Sequence, residues 1–125
     1  MTLQEALDQV DEMKPNMMSR RLKIKYLTII EQMIHSEIVM KHTHEPEEEA
    51  KPVYTEDSDP GTPLIIPDPY SEVYPNYLIA QIDRQNQEDA RYNIDIAKFE
   101  EAYGTMSDWY TREHMPIQKT REFRL

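Results

Sequence analysis

Apolar residues recur at helical spacing in four stretches of the chain, and a proline-rich stretch separates the second from the third. The first helix is predicted to follow Thr2, because Thr2 and Glu5 have the spacing of a capping box, in which two side chains bind unpaired amides at a helix start. It ends before Pro15, since the residue preceding a proline is driven out of the helical region. Its apolar positions are Leu3, Ala6, Leu7, Val10 and Met13.

The second helix is predicted to run from about residue 18 to residue 42, with Asn16 or Ser19 as its cap. A basic cluster lies near its start, where the helix dipole disfavours cations. Either an acidic partner surface lies nearby, or the long side chains simply extend into solvent. The basic residues are Arg20, Arg21, Lys23 and Lys25. The apolar face consists of Leu22, Tyr26, Ile29, Ile30, Met33, Ile34 and Ile38.

Residues 43–69 are predicted to form an acidic connector, because six of the nine prolines fall there and exclude a helix. Two short apolar runs, 53–55 and 64–66, flank a turn signal at Asp59-Pro60-Gly61. This pattern predicts a short β-hairpin over 53–66. Because an isolated hairpin is only marginally stable in water, the helices or a neighbouring copy must cover it.

The third helix is predicted to begin at about Ser71, with Pro75 in its first turn, where a missing amide matters little. It bends or breaks at Asn86-Gln87. The fourth helix carries an aromatic-rich apolar stripe and ends at His114-Met115-Pro116. Such a stripe is typical of a core rather than of a cofactor site. Its members are Tyr92, Ile96, Phe99, Tyr103, Met106 and Tyr110.

Composition narrows the classes of function. The 125 residues are the length of one domain, and with two glycines and no cysteine the chain lacks a glycine-rich phosphate loop, disulfides and thiolate chemistry. No apolar run approaches the roughly 20 residues that span a bilayer, and the N-terminal residues lack a signal-peptide pattern, so no membrane partner is expected. The predicted fold is mainly α: a single four-helix domain over 1–116 that contains the acidic connector and its hairpin, with an extended basic tail over 117–125.

Charge is strongly segregated along the chain. The net charge is −10, but residues 16–42 carry +3, residues 43–72 carry −8 and residues 115–125 carry +2. The overall negative charge argues against sequence-independent binding to a phosphate backbone. Segregation suits self-association, although solvated faces that simply differ in charge give the same pattern. Under the first interpretation, the basic cluster of one copy contacts an acidic run of the next, namely Glu47, Glu48 and Glu49.

Candidate chemistry is sparse. His42 and His44 precede four glutamates and offer ligands for a divalent cation, but the run has the composition of a solvated linker, and no metal site is predicted. The serines lack the flanking pattern of a nucleophile. Glu100 and Glu101 are adjacent on a helix and point about 100° apart, so they do not share a site. We therefore predict no catalytic residue, no cofactor and no enzymatic activity.

Several motifs carry a family resemblance. They are KPN (14–16), IPDPYSEVY (66–74), YLIAQID (77–83), NxExxRYN (86–93), FxxAY (99–103) and WYxRxHMP (109–116). Together they resemble the head–tail connector proteins, also called adaptor or head-completion proteins, of tailed phages and prophages of Gram-positive bacteria. The resemblance covers residues 1–116 and is densest over 64–116. The chain departs from the pattern at Pro75, where the family has an ordinary residue, and at Glu100, where it has Asn.

This resemblance implies a small helical subunit, not an enzyme, that forms a ring, commonly of twelve, beneath the portal protein. Such a ring joins the capsid to stopper or tail proteins and lets DNA pass, so the expected location is the head–tail interface of the virion, after assembly in the bacterial host cytoplasm. The last motif and the basic tail are predicted to dock neighbouring virion proteins. The docking candidates are Arg112, His114, Met115, Pro116, Lys119, Arg121, Phe123 and Arg124.

Three alternatives stay open at this point. A minor head, tail-completion or assembly-helper protein of a phage fits the same setting, and a helper would be absent from finished particles. A protein-binding module outside any virus would stay monomeric and have a separate partner. A metal-dependent enzyme would use His42, His44 and the glutamates that follow, so alanine at both histidines would abolish its activity.

Overall fold

The computed structural model describes residues 1–117, and this part of the chain has the predicted mainly α fold. Its four α-helices are α1 (Leu3–Met13), α2 (Arg20–Glu37), α3 (Val73–Gln85) and α4 (Asp89–Glu113). Short 3-10 turns lie at Val39–Lys41, Pro46–Glu49 and Tyr70–Glu72. Residues 1–117 contain no β-strand, only isolated antiparallel bridges that join Thr2 to Pro63 and His42 to Pro116.

Both N-terminal helix caps have the predicted form. The Thr2 hydroxyl accepts from the Glu5 amide at 3.1 Å, and the Glu5 carboxylate accepts from the Thr2 amide at 2.8 Å. Lys14 is extended before Pro15 and ends α1. Of the two predicted caps for α2, Ser19 is the one used, since its hydroxyl accepts from the Leu22 amide at 3.1 Å.

Helix α2 ends at Glu37, five residues before the predicted end at residue 42. The reason lies in the side chain of His42, whose Nδ1 is 2.7 Å from the carbonyl oxygen of Ile38. In a continued α-helix that carbonyl would accept from the amide of His42 instead. The chain therefore tightens into the 3-10 turn Val39–Lys41 and leaves the helix.

The predicted β-hairpin over 53–66 is wrong, because its two apolar runs bind other parts of the molecule. The first run lies along α2, where the Tyr54 amide donates to the Thr28 hydroxyl at 3.1 Å and Gln32 donates to the Pro52 carbonyl at 3.0 Å. In the second run, the Leu64 amide donates to the Met1 carbonyl at 2.9 Å. Prolines at 52, 60, 63 and 67 also remove amide donors that a ladder would need.

The first residues of α1 and the connector satisfy each other's backbone groups. The Leu3 amide donates to the Thr62 carbonyl at 2.9 Å, and the Gln4 amide donates to the Pro60 carbonyl at 3.0 Å. These amides lie in the first turn of α1 and have no partner inside the helix. The connector thus takes the place of water at this helix end and is itself held in position.

Helix α3 begins two residues later than the predicted cap at Ser71. Ser71 lies in the 3-10 turn Tyr70–Glu72 and its hydroxyl bonds the Asp68 carboxylate, so it does not cap an α-helix. Pro75 falls at the third position of α3, where its missing amide has no intrahelical acceptor. The predicted break is confirmed: α3 ends at Gln85, and Gln87 has a φ of 60°.

The core lies where α3 packs against the other three helices. Helix α3 is buried on most of its surface, whereas the α4 stripe is buried only at Phe99, Met106 and Tyr110. Its other members, Tyr92, Ile96 and Tyr103, are partly buried, and Ile94 beside the stripe is 59% exposed. No helix in residues 1–117 has both the length and the apolarity needed to cross a bilayer.

Candidate functional site

The predicted basic cluster lies at the start of α2, but its members have different roles. Arg20, Arg21 and Lys25 are exposed. Lys23 is buried and its ammonium is 2.6 Å from the Asp11 carboxylate of α1. Burial acts to raise the pKa of Asp11, but the hydrogen bonds from Lys23 and Asn16 outweigh it and hold that pKa below 3.8. Lys23 therefore holds α1 against α2 inside one chain, and the exposed basic cluster is reduced to Arg20, Arg21 and Lys25.

Two shallow grooves lie beside this exposed basic cluster, and Arg21 and Lys25 line both. The smaller groove, of about 230 Å³, is completed by Ser19 and Leu22. The larger, of about 430 Å³, has an apolar wall that includes Ile29 and an acidic rim on the connector. Both are open surface grooves that place cationic side chains at the edge of an apolar surface. Such a surface fits an acidic protein segment better than a small uncharged ligand.

The predicted acidic run forms the exposed 3-10 turn Pro46–Glu49, called the acidic turn below. A capping box holds it: the Glu45 amide donates to the Glu48 carboxylate at 2.8 Å, and the Glu45 carboxylate accepts from the Glu48 amide. His35 anchors the acidic turn to the last turn of α2, with its Nε2 2.8 Å from the Glu48 carbonyl oxygen. The acidic turn therefore lies at the C-terminal end of α2.

The exposed basic cluster and the acidic turn are at opposite ends of one helix. Fourteen residues separate Arg21 from His35, which corresponds to about 21 Å at 1.5 Å per residue. That distance is about twice the screening length of roughly 8–10 Å at physiological ionic strength. The structure therefore does not bring the predicted contact residues together within one chain. A contact between them requires a second copy.

The docking candidates of the last motif also lie at the acidic end. Residues 115–117 run antiparallel to residues 41–43: the Thr43 amide donates to the Met115 carbonyl at 2.8 Å, and the Ile117 amide donates to the Lys41 carbonyl at 2.9 Å. Arg112, Met115 and Pro116 are exposed, while the ring of His114 stacks on Tyr110 at 3.8 Å. The remaining candidates, Lys119, Arg121, Phe123 and Arg124, lie outside the described residues.

The histidines proposed as alternative metal ligands bind the protein itself. His42 Nδ1 contacts the Ile38 carbonyl and its Nε2 is 3.1 Å from the Thr111 hydroxyl, while His44 Nδ1 is 2.7 Å from the His42 carbonyl. Across residues 1–117, no three histidine or carboxylate side chains come together in a way that could hold a metal ion. Glu100 and Glu101 are both exposed on α4.

A buried carboxylate that the sequence interpretation missed connects α2, α3 and the connector. Glu31 is fully buried on α2 and accepts from the Tyr54 hydroxyl at 2.7 Å, from the Ile65 amide at 3.0 Å and from the Tyr74 hydroxyl. Burial raises the pKa of Glu31 above 4.5, and the three hydrogen bonds oppose that rise. The available signal was an acid among apolar residues at helical spacing, next to Ile30 and three residues before Ile34.

A second buried carboxylate closes the junction between α3 and α4. Lys14 pairs with Asp83, which is fully buried, and with Glu88 at 3.2 Å. Within residues 1–117, the second carboxylate oxygen of Asp83 has no hydrogen-bond partner. Burial and the neighbouring carboxylate of Asp95 raise the pKa of Asp83 above 3.8, and the pairing with Lys14 opposes that rise. Lys14 belongs to the KPN motif, so this motif has a structural role at the junction.

Comparison with known proteins does not assign this chain to a family. No family model, no curated protein and no solved structure matches this chain. The geometry provides a pair of charged surfaces separated by the length of α2, and it places the predicted docking residues of the last motif at the acidic end. Such an arrangement can form a protein–protein contact between copies.

Proposed function

We propose that this chain is a structural virion protein, a head–tail connector (adaptor) subunit of a tailed phage. Its copies form a ring, commonly of twelve in such connectors, beneath the portal protein, joining it to stopper or tail proteins while DNA passes through the centre. The phage assignment is supported by the motifs over 64–116. The subunit role is supported by the helical fold and by the charged surfaces at the two ends of α2.

The observation that carries the proposal is the separation of opposite charges along α2. A surface that can contact only a different surface on an identical copy makes a heterologous contact, and heterologous contacts close into rings when the rotation between copies allows it. The exposed basic cluster of one copy, with Arg21 at its centre, contacts the acidic turn of the next. Each copy in the ring then uses its basic cluster in a contact with one neighbour and its acidic turn in a contact with the other.

A further apolar surface supports burial against a neighbour. Met13 of α1 and Ile94 of α4 are 50% and 59% exposed. They line two cavities, of about 280 and 580 Å³, that share Arg91, Asp95 and Lys98. Exposed apolar side chains among charged residues are a feature of protein interaction sites. In the proposed assembly, the portal protein and the tail-side proteins are the neighbours that can cover these apolar residues.

The net charge fits a channel for DNA. At −10 per copy, a ring of this protein repels the phosphate backbone on average and has no tendency to hold it by counterion release. Passing DNA is therefore cargo and not a ligand in this proposal. Nor does the proposal include a catalytic step.

The direct test is to locate the protein in purified phage particles. Quantitative mass analysis is expected to find it in finished, DNA-filled particles at a copy number equal to that of the portal subunit. Absence from finished particles, with presence in precursors, would identify an assembly helper instead. A protein that is absent from both, and monomeric at every concentration, would be a binding module outside the virion.

The contact itself is tested by reversing single charges. Arg21→Glu is expected to weaken ring formation, measured by sedimentation velocity, because it opposes the acidic turn of the next copy. Arg84→Glu is the matched control, since it makes the same charge change on an exposed residue of α3. Adding Glu47→Arg to the Arg21→Glu variant is expected to restore assembly. If Arg21→Glu and Arg84→Glu assemble equally well, this contact is wrong.

A further inference from the structure

The ring of His44 faces two acceptor oxygens, and a neutral ring cannot satisfy both. Its side chain is 9% exposed, and both ring nitrogens face oxygen atoms of the protein. Nδ1 is 2.7 Å from the His42 carbonyl oxygen, and Nε2 is 3.4 Å from a carboxylate oxygen of Glu49. A carbonyl and an ionised carboxylate can only accept. Both contacts therefore call for a proton on the histidine.

The consequence follows from the single N–H of a neutral imidazole. The shorter contact places that proton on Nδ1, because the His42 carbonyl cannot donate. In the neutral ring Nε2 then presents a lone pair to the Glu49 carboxylate, and two acceptors face each other. A second proton on Nε2 turns this repulsion into an ion pair that ties residue 44 to residue 49 across the whole acidic turn.

The other three histidines do not have this arrangement. His42 has a carbonyl at Nδ1 but the Thr111 hydroxyl at Nε2, and a hydroxyl can donate to a neutral ring. His35 and His114 each have one ring nitrogen near a backbone carbonyl, that of Glu48 and that of Tyr110. Single N–H groups satisfy these contacts. His44 is thus distinguished by two acceptors at once.

We propose that His44 is a pH-sensitive clasp, whose second proton orders the acidic turn and so strengthens the contact that the next copy makes there. The link to assembly rests on the proposed function, whereas the clasp itself does not. The carbonyl of His42 and the carboxylates of Glu49 and Glu48 raise the pKa of His44 above 6.5. Histidine is the side chain whose unperturbed change of charge lies between pH 5 and pH 8.

The charged and titratable groups around the acidic turn act in a consistent direction. The turn and its flank contribute carboxylates, and α2 contributes one imidazole. Helix α4 contributes the phenol of Tyr110, which meets His42 edge-on, and the imidazole of His114, which stacks on Tyr110. Only the carboxylates carry negative charge near neutral pH, and they favour a protonated His44. These groups are Glu45, Glu47, Glu48, Glu49, His35, Tyr110 and His114.

The clasp is tested by titrating the histidine rings of the full chain by NMR, at a concentration below that of any self-association. The His44 signal is identified by its loss in His44→Gln. Its midpoint is expected to lie above 6.5 and to fall toward 6.5 in Glu49→Gln, which removes the charge that faces Nε2. Glu47→Gln is the matched control on the same turn and is expected to lower the midpoint less.

Ordering of the acidic turn is measured independently by amide hydrogen exchange. After correction for intrinsic rates, the Glu48 amide, which bonds the Glu45 carbonyl at 2.9 Å, is expected to exchange severalfold more slowly at pH 5.5 than at pH 8. That difference should disappear in Glu49→Gln. A His44 midpoint at or below 6.5, or a midpoint that Glu49→Gln and Glu47→Gln change equally, overturns the clasp.

The assembly step is tested separately by sedimentation at the same two pH values. Wild type is expected to associate more strongly at pH 5.5 than at pH 8, and Glu47→Gln to keep part of that dependence while Glu49→Gln loses it. If the turn orders on protonation but association does not change with pH, regulation by the clasp is wrong. If no association occurs at either pH, the proposed function fails, and the NMR and exchange results still decide the clasp.

Discussion

The buried Glu31 cluster predicts that two tyrosine-to-phenylalanine substitutions, each removing one hydroxyl, have unequal effects. The Tyr74 hydroxyl is buried, donates to Glu31 and accepts from the Ile66 amide at 2.9 Å. The Tyr54 hydroxyl makes a single bond, to Glu31, and its side chain is partly exposed. The first substitution therefore leaves two buried groups without a partner, whereas the second leaves none, because the Glu31 oxygen that loses Tyr54 keeps the Ile65 amide.

The magnitudes follow from these counts. An unsatisfied buried donor or acceptor costs about 1–3 kcal/mol, so Tyr74→Phe, which leaves two of them, is expected to lower the free energy of unfolding by about 2–6 kcal/mol. Tyr54→Phe is expected to lower it by about 0.5–1.5 kcal/mol, because the Ile65 amide still bonds the same carboxylate oxygen of Glu31. Since small domains are stable by about 5–15 kcal/mol, the first loss is a large fraction of the whole.

The assay is urea unfolding followed by far-UV circular dichroism, at a protein concentration low enough to exclude self-association. Wild type, both single variants and the double variant form a mutant cycle. The double variant should lose less than the sum of the single losses, because both hydroxyls serve one carboxylate. Equal losses for the two single variants, or a smaller loss for Tyr74→Phe, would show that the cluster is not held as described.

Three more predictions concern the other charged groups. Asp95→Asn is expected to stabilise the protein by about 0.5–1.5 kcal/mol at pH 7 in urea unfolding, because an amide can donate to the unpaired Asp83 oxygen, whereas Asp95→Ala supplies no donor and should not stabilise. Burial raises the folded-state pKa of Glu31, so the folded state binds more protons than the unfolded state above about pH 4.5. As pH rises from 4.5 through the folded pKa, wild type should therefore lose stability relative to Glu31→Gln. A gain in the stability of wild type relative to Glu31→Gln over that range would contradict the direction of the pKa shift. In thermal unfolding, Lys23→Ala is expected to destabilise the protein by about 1–2 kcal/mol and Lys25→Ala by at most about 0.5 kcal/mol. The reason is that the ammonium of Lys23 is buried against Asp11, while Lys25 is exposed. Equal effects of the two substitutions would contradict the assigned roles.

The sequence correctly predicted those helix boundaries that depend on interactions between residues close to each other in the chain. Thr2 and Glu5 cap α1 because their partners are three residues apart, and Ser19 caps α2 for the same reason. The break at Gln87 was likewise visible in the sequence. In each case the sequence itself contains both partners of the interaction within one turn.

The connector could not be predicted in this way, because its partners are distant in sequence. The amide of Ile65 binds a carboxylate 34 residues earlier in the chain, and the Tyr54 amide binds a hydroxyl 26 residues earlier. A hairpin requires only near neighbours, so the local pattern favoured it. The basic cluster could not be resolved from the sequence either, since nothing in the run of arginines and lysines over residues 20–25 indicated that Lys23 alone would be buried.

The sequence predicted which residues form the charged surfaces, but it did not predict where these surfaces lie in the fold. The sequence indicated that Arg21 and Glu47 belong to oppositely charged segments. It did not indicate that the chain returns to the C-terminal end of α2 through the His35 contact, which places the acidic turn about 21 Å from the basic cluster. That separation depends on where α2 ends, and α2 ends earlier than its apolar pattern suggested.

The pairing of α1 with the connector also sets an order of events during synthesis. Leu3 and Gln4 are translated before the connector, and their acceptors on Thr62 and Pro60 follow only after more than fifty further residues have been joined. Until then α1 has neither its backbone acceptors nor the α3 surface that covers it, and short isolated helices are marginal in water. Helix α1 is therefore translated well before the parts of the chain that complete its native environment.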